Sequence, residues 1–349
     1  MDTAWSTFHG NTARTGWRST PGPRDSPFVQ WACEIAPGLR SSPAVTNGTV
    51  YIGGRDDKIH AIDAADGTEQ WYFQTDNWVD ASPAVDDGTL YIGSHDGNVY
   101  AVAADDGTER WRFRTGSWVE SSPAVSEGVV YVGSHDNNLY AIDATTGTEY
   151  WRFRTDGEVI SSPAVQGQTV FVGSRDRHLY AIDATDGTEQ WQAQTAGRIY
   201  GSPTVTAGKV WIANDDFIHA FDAASGRECW RYETAGGISA TPAVDSSTVY
   251  VGCFADAAGY VYAIDRDDGT KSWRLQTGDS IYSSAAIANE TLYVGCLDGS
   301  IYALSTDDGT LQWQYELDGE IASSPAVVNG AVYIGDSHSL YRFGRTEPT

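Results

Sequence analysis

Short apolar runs rich in Val, Ile, Tyr and Trp alternate along nearly the whole chain with polar punctuation rich in Gly, Asp and Asn. Runs of that kind, bounded by turn residues, predict β-strands joined by tight turns. Residues 121–155 read SSPAVSEGVVYVGSHDNNLYAIDATTGTEYWRFRT. Four strands are expected there: A around Pro123 to Val125, B over Val129 to Gly133, C over Leu139 to Asp143 and D over Tyr150 to Arg154. No stretch of the chain has the spacing of an amphipathic helix.

The same pattern recurs. The anchor Ser-Pro-Ala-Val places a proline at Pro43, Pro83, Pro123, Pro163, Pro203, Pro242 and Pro325, with Ala285 standing in the seventh copy, at intervals of 40, 40, 40, 40, 39, 43 and 40 residues. Four short strands per unit at this period predict a β-propeller rather than a helical solenoid. Strand D carries Trp71, Trp111, Trp151, Trp191, Trp230, Trp273 and Trp313. The eighth tryptophan, Trp31 in Gln30-Trp31, precedes the first strand A, whereas it should follow the last strand C at Ser339 to Phe343. Residues 28–35 are therefore expected to supply strand D of an eighth blade otherwise formed by residues 322–343, which removes an open edge. The expected fold is all-β: an eight-bladed propeller of four-stranded antiparallel blades over residues 28–344, one domain, with a leader (1–27) packed on it and a short tail (345–349).

Parity sorts the connections. With four alternating strands per blade, the D-to-A and B-to-C connections emerge on one face and the A-to-B and C-to-D connections on the other. The second face repeats Asp-Gly-Thr and reads as scaffold. On the first face the copies disagree, and in a ring of repeats such positions are free to carry function. Five residues before each anchor stand Gly38, Trp78, Trp118, Glu158, Arg198, Gly237, Ser280 and Glu320. Three before it stand Arg40, Asp80, Glu120, Ile160, Tyr200, Ser239, Tyr282 and Ala322. The B-to-C turns add Arg55, His95, His135 and Arg175, and blade six carries an insertion around Phe254 to Tyr260. Strand A should line the channel, so this face is expected to form a funnel with aromatic walls and paired charges. Its candidate binding residues are Trp78, Asp80, Trp118, Glu120, Arg198, Tyr200, Tyr282, Arg55, His95, His135 and Arg175. An exposed tryptophan outside the docking series suits a binding anchor; alternatively Trp78 and Trp118 cover the channel mouth by packing on each other.

Charge narrows the partners. The net charge of −25 argues against general affinity for nucleic acid or anionic lipid. Only Lys58, Lys209 and Lys271 are lysines, and this Asp-rich, Lys-poor balance resembles proteins of salt-loving archaea, where salt screens self-repulsion. No run of 18 apolar residues and no targeting motif is visible, which leaves cytoplasm and cell exterior both open. Cys33, Cys229, Cys253 and Cys296 lack C-x-x-C spacing and read as packed thiols rather than a zinc site or a disulfide. His60 and His219 replace the strand C tyrosine and read as packing variants; His9, His178 and His338 fall in the leader or in turns. No hydrolase, metalloprotease, P-loop or dinucleotide motif occurs. The acidic turns, such as Asp265 to Gly269, lack a calcium-loop pattern, and no metal is expected.

The motif Ala-x-Asp-x-x-x-Gly-Thr-x-x-Trp, in Ala61 to Trp71, Ala141 to Trp151 and Ala181 to Trp191, resembles the quinoprotein repeat of pyrroloquinoline-quinone (PQQ) dehydrogenases. Looser forms occupy Ala220 to Trp230, Ala263 to Trp273 and Ala303 to Trp313, and the opening Trp5 to Gly16 is similar to a segment that leads into such propellers. The resemblance implies the propeller, with Asp63, Asp143 and Asp183 accepting from turn N–H groups, Gly67 and Gly147 at positive φ and the tryptophans wedged between blades. It does not by itself imply chemistry, because quinone enzymes share the repeat with non-catalytic relatives such as the outer-membrane assembly lipoprotein of Gram-negative bacteria. The enzymes place a planar quinone on a Trp with calcium held by Glu, Asn and Asp, and many carry a vicinal Cys-Cys pair; no such pair and no catalytic position can be matched here. The expected role is a monomeric, non-enzymatic platform for a protein partner or a small polar or aromatic ligand, with no cofactor. A PQQ- and calcium-dependent alcohol or sugar dehydrogenase is the alternative.

Overall fold

Each forty-residue unit forms one twisted, four-stranded antiparallel sheet, because each apolar run is long enough to bury one blade-to-blade face and each polar break is short enough to force a hairpin. The computed structural model describes residues 4–23, 27–35, 37–255 and 258–344. Eight such sheets stand around a channel, with strand A innermost and strand D outermost. In blade 3 the strands are Ala124–Ser126, Val129–Gly133, Asn138–Asp143 and Glu149–Arg154, within a residue of the sequence expectation. Blade 8 pairs Ala326–Val328, Ala331–Gly335 and Ser339–Gly344 with Phe28–Glu34 from the other end of the chain, in a register that sets Ala32 opposite Tyr341. The expected closure of the ring is therefore present.

Strand D of blade 3 is bulged between Glu149 and Trp151, and the same irregularity recurs in blade 8 between Val29 and Trp31. A bulge re-aims the next side chain, and here it turns the tryptophan toward the neighbouring blade. The Trp111 indole N–H donates to the Ala144 carbonyl (2.9 Å), and Trp151 reaches Ala184 (3.0 Å) in the same way. The ring lies against a turn glycine: a Cβ on Gly147, at φ 72°, would meet Trp111 at 2.7 Å, and one on Gly67 would meet Trp31 at 2.8 Å. Asp143 accepts from the Thr145 and Thr146 N–H groups, so Asp, Gly and Trp of the repeat form one docking unit.

Blade 8 lacks a C-to-D turn because its strand D comes from the far end of the chain. The leader supplies the missing acceptor: the Pro23 carbonyl receives both the Tyr293 hydroxyl and the Trp313 indole N–H, each at 2.9 Å.

Around the channel, the residue just before each anchor proline joins a closed circle of hydrogen bonds. Each N–H donates to the next hydroxyl, from Ser42 through Ser82, Ser122, Ser162, Ser202, Thr241, Ser284 and Ser324 back to Ser42, at 2.8–3.2 Å. Buried donors need partners, and this circle satisfies eight of them with side chains.

The leader occupies the channel from the Asp-Gly-Thr side. Its carbonyls at Trp5, Ser6, Thr12, Ala13, Thr15 and Gly16 accept from the inner strands at Val45, Val85, Val165, Val205, Val244 and Ile287. Trp17–Arg18 adds a parallel strand inside blade 7, giving that blade five strands where four were expected. Arg14 is fully buried and donates to the carbonyls of Pro163 (2.7 Å), Ser122 (2.8 Å) and Phe8 (3.1 Å); burial lowers its pKa to about 9. His9 sits beside it between the Arg14 and Ala285 carbonyls, with its pKa lowered by burial to about 4.

Cys253 and Cys296 are buried thiols, and burial raises their pKa values to about 11 and about 12. The reading of all four cysteines as packed fails for Cys229, which is exposed on outer strand D of blade 5, and for Cys33, which is half-buried. Outer strands bury one face only, so side chains on the other face meet solvent. The tail (345–349) lies outside the described residues, as do 256–257 within the blade 6 insertion.

Candidate functional site

Each D-to-A loop has one buried residue between two more exposed ones. Val79, between Trp78 and Asp80, is buried, and Gly53 of the preceding blade is flat enough to receive it: a Cβ there would meet Val79 at 2.4 Å. Val119 docks on Gly93 and Val159 on Gly133 in the same way. Pinning the middle residue turns its two neighbours outward, and this fixes the direction of Trp78, Asp80, Trp118 and Glu120. The B-to-C turns are tied to the same loops, because the His95 N–H donates to the Trp78 carbonyl (2.8 Å) and the His135 N–H to the Trp118 carbonyl (2.9 Å).

An arc of alternating basic and acidic groups results. Arg55 makes a two-pronged bond to Asp80 at 2.8 and 2.7 Å and lies 4.6 Å over the Trp78 ring. His95 Nε2 stands 3.5 Å from Asp80 Oδ2 and 3.3 Å from Glu120 Oε1, while its ring stacks on Trp118 at 4.9 Å and 8°. His135 Nε2 lies 3.2 Å from Glu120 Oε2 and its Nδ1 3.8 Å from Glu158. Arg175 pairs with Glu158 and lies 5.3 Å over Tyr200.

Burial opposes the charge on Glu120, but the flanking His135 and His95 outweigh it and hold the carboxyl well below the usual range. Arg55 is raised, chiefly by its bond to Asp80.

Eight of the eleven predicted residues line one funnel of about 720 Å³: Arg55, Trp78, Asp80, His95, Trp118, Glu120, Tyr200 and Tyr282. Arg40, Asn77, Ile160 and Ser239 complete the lining. His135 and Arg175 join through the arc. Arg198 is exposed and lies outside the lining. Trp78 and Trp118 remain 43% and 49% exposed. Among the described residues they make no direct ring contact with each other, but both touch the His95 ring, Trp118 stacked flat on it and Trp78 at 6.0 Å and 47°, while Arg55 lies over Trp78. Tyr282, on the far wall, stacks on Phe254 at 5.2 Å and 9°. Below the funnel, the channel runs past the serine circle to Phe8 of the leader, so the funnel is a cup with a floor. Glu158, which joins His135 to Arg175, was visible as a variant position but not as a member of the site.

A family profile described as outer membrane protein assembly factor BamB matches residues 7–118, 95–216 and 197–343, which together span nearly the whole propeller. The chain belongs to the BamB family. Among solved structures, BamB from Moraxella catarrhalis is 18% identical with a TM-score of 0.79, covering 93% of this chain and 99% of that one. The quinohemoprotein alcohol dehydrogenase from Comamonas testosteroni is 15% identical with a TM-score of 0.84, covering 99% and 82%. A computationally designed protein, Ika8, is 17% identical with a TM-score of 0.78, covering 89% and 99%. No curated protein sequence matches. At these identities the structural likeness speaks of fold alone: a BamB, an alcohol dehydrogenase and a design share one ring.

Proposed function

We propose that this member of the BamB family is a non-enzymatic platform that seats a polypeptide partner in the cup on its variable face. The observation that carries the reading is the pair Trp78 and Trp118. Both rings are held by basic neighbours yet stay half-exposed at the mouth of a large cavity, the setting of a preorganised binding anchor. The family description, an assembly factor for other proteins, supports a polypeptide as the partner. The closed floor at Phe8 favours a partner that enters and leaves by the same mouth.

With its carboxylates unmetallated, the lining suits a quinone cofactor poorly: PQQ is a planar tricarboxylate, and the cup presents Asp80 and Glu120 to it alongside Arg40. Arg55 is already neutralised by Asp80, and one face of each tryptophan is covered by Arg55 or His95.

The test is capture from the native host at its own salt concentration, comparing the parent protein with Trp78→Ala/Trp118→Ala. A partner retained by the parent and lost from the double variant, with thermal midpoints within about 5 °C of each other, supports the platform. Equal retention by both, or dye-linked oxidation of alcohols or aldoses after addition of PQQ and calcium, overturns it.

A further inference from the structure

Within the arc, three separate loops bring one donor atom each from Asp80, His95 and Glu120 within 4.8 Å of one another, with His95 Nε2 facing Asp80 Oδ2 and Glu120 Oε1. His95 is only 6% exposed, and its Nε2 is buried with no hydrogen-bond partner among the described residues. A buried ring nitrogen set between two carboxylates is satisfied either by a proton, as an ion pair with both, or by a cation that all three share. The separations of 3.5 Å to Asp80 and 3.3 Å to Glu120 are long for a strong hydrogen bond. They match ligands of a shared ion: donors roughly 2.1 Å from a tetrahedral metal stand about 3.4 Å apart.

The surroundings fix these donors. Trp118 stacks flat on the His95 ring. Arg55 holds both oxygens of Asp80, whose Oδ2 retains a second lone pair. His135 sits 3.2 Å from Glu120 Oε2, the oxygen not facing His95. Ligands whose orientation is set by outer partners are the usual architecture of a metal centre. One imidazole with two carboxylates selects a first-row transition ion over calcium or magnesium.

We propose that Asp80, His95 and Glu120 form a divalent transition-metal site, best suited to Zn²⁺, with an open coordination position facing the funnel. The site stands apart from the partner reading, because a metal ion alone suffices to test it.

Calorimetric titration of chelator-stripped protein with Zn²⁺ should give one site per chain. His95→Gln and Asp80→Asn should each weaken binding by roughly a hundredfold or more, and His135→Gln by about tenfold. Circular dichroism and thermal midpoints establish whether each variant is folded. Should His95→Gln not fold, Co²⁺ added to the parent protein decides: paramagnetic loss of the His95 ring resonances, with a visible absorption band, supports the site. Absence of saturable one-to-one binding, unchanged affinity in folded His95→Gln, or intact His95 resonances with Co²⁺ bound overturns it.

Discussion

The two ends of the central channel are built from the same eight strands and are treated in opposite ways. At the Asp-Gly-Thr end the leader fills the opening, and its carbonyls, together with the Arg14 guanidinium, bond to the inner strands and to the segments leading into them. At the other end the loops leave a cup whose tryptophans are half-exposed and whose His95 Nε2 has no hydrogen-bond partner among the described residues. Polar groups are satisfied within the chain at the first end, whereas the second, where we propose a partner binds, leaves groups for another molecule to satisfy.

Substitutions should break this contrast in a graded order. Arg14→Met strands three carbonyls in the plugged end, and chemical denaturation should show a loss on the order of 4 kcal/mol; a loss below about 1 kcal/mol would mean the plug is dispensable. Gly147→Ala sets a Cβ against the Trp111 ring at positive φ, and its expected cost is about 2 to 3 kcal/mol by the same measurement. Ser122→Ala, midway along the channel, leaves the Ser82 N–H unpaired and should cost about 1 to 2 kcal/mol. Trp78→Ala and Trp118→Ala, at the open end, should each cost less than about 1 kcal/mol, and a value matching Gly147→Ala would move these residues from the binding side of the comparison to the structural side.

The smallest effect per residue is expected on acidification. Hydrogen bonds from Tyr150 and Thr146 lower Asp143 to about 2, and turn donors lower Asp66, Asp106, Asp183, Asp222, Asp268 and Asp308 in the same direction. Unfolded aspartates titrate near pH 4. The contribution of these turns is therefore complete at neutral pH and drains as pH falls from about 4 through the depressed folded values. Unfolding midpoints followed from pH 6 to pH 2 should fall in that window, and substituting Asp143 by Asn should flatten the fall.

The period, the blade count and the closure by Trp31 were legible because they are written in side chains that every copy repeats. The cup was legible for the complementary reason: Trp78, Asp80, Trp118 and Glu120 depart from the consensus at positions whose direction the repeat itself fixes. Arg198 sits at the same offset as Trp78 yet lies outside the lining; offset alone does not say how far a long side chain reaches. The path of the leader was illegible, since its bonds to Val45, Val85 and Val165 are made by backbone groups that any residue possesses. The serine circle was in plain view in the anchor, but its meaning depends on one copy touching the next. The convergence of positions 80, 95 and 120 also escaped motif reading, because metal motifs are recognised by short spacing within one segment and these donors come from three.

The blade assembled from Phe28–Glu34 and Ser339–Gly344 sets a timetable for biogenesis. During synthesis Phe28–Glu34 emerges about three hundred residues ahead of its mate, so seven sectors can stack progressively while one outer strand waits. Completion is the last and most entropically demanding event, and a nascent chain arrested just short of Ser339 would present an open arc with two bare edges to whatever binds such edges in the cell.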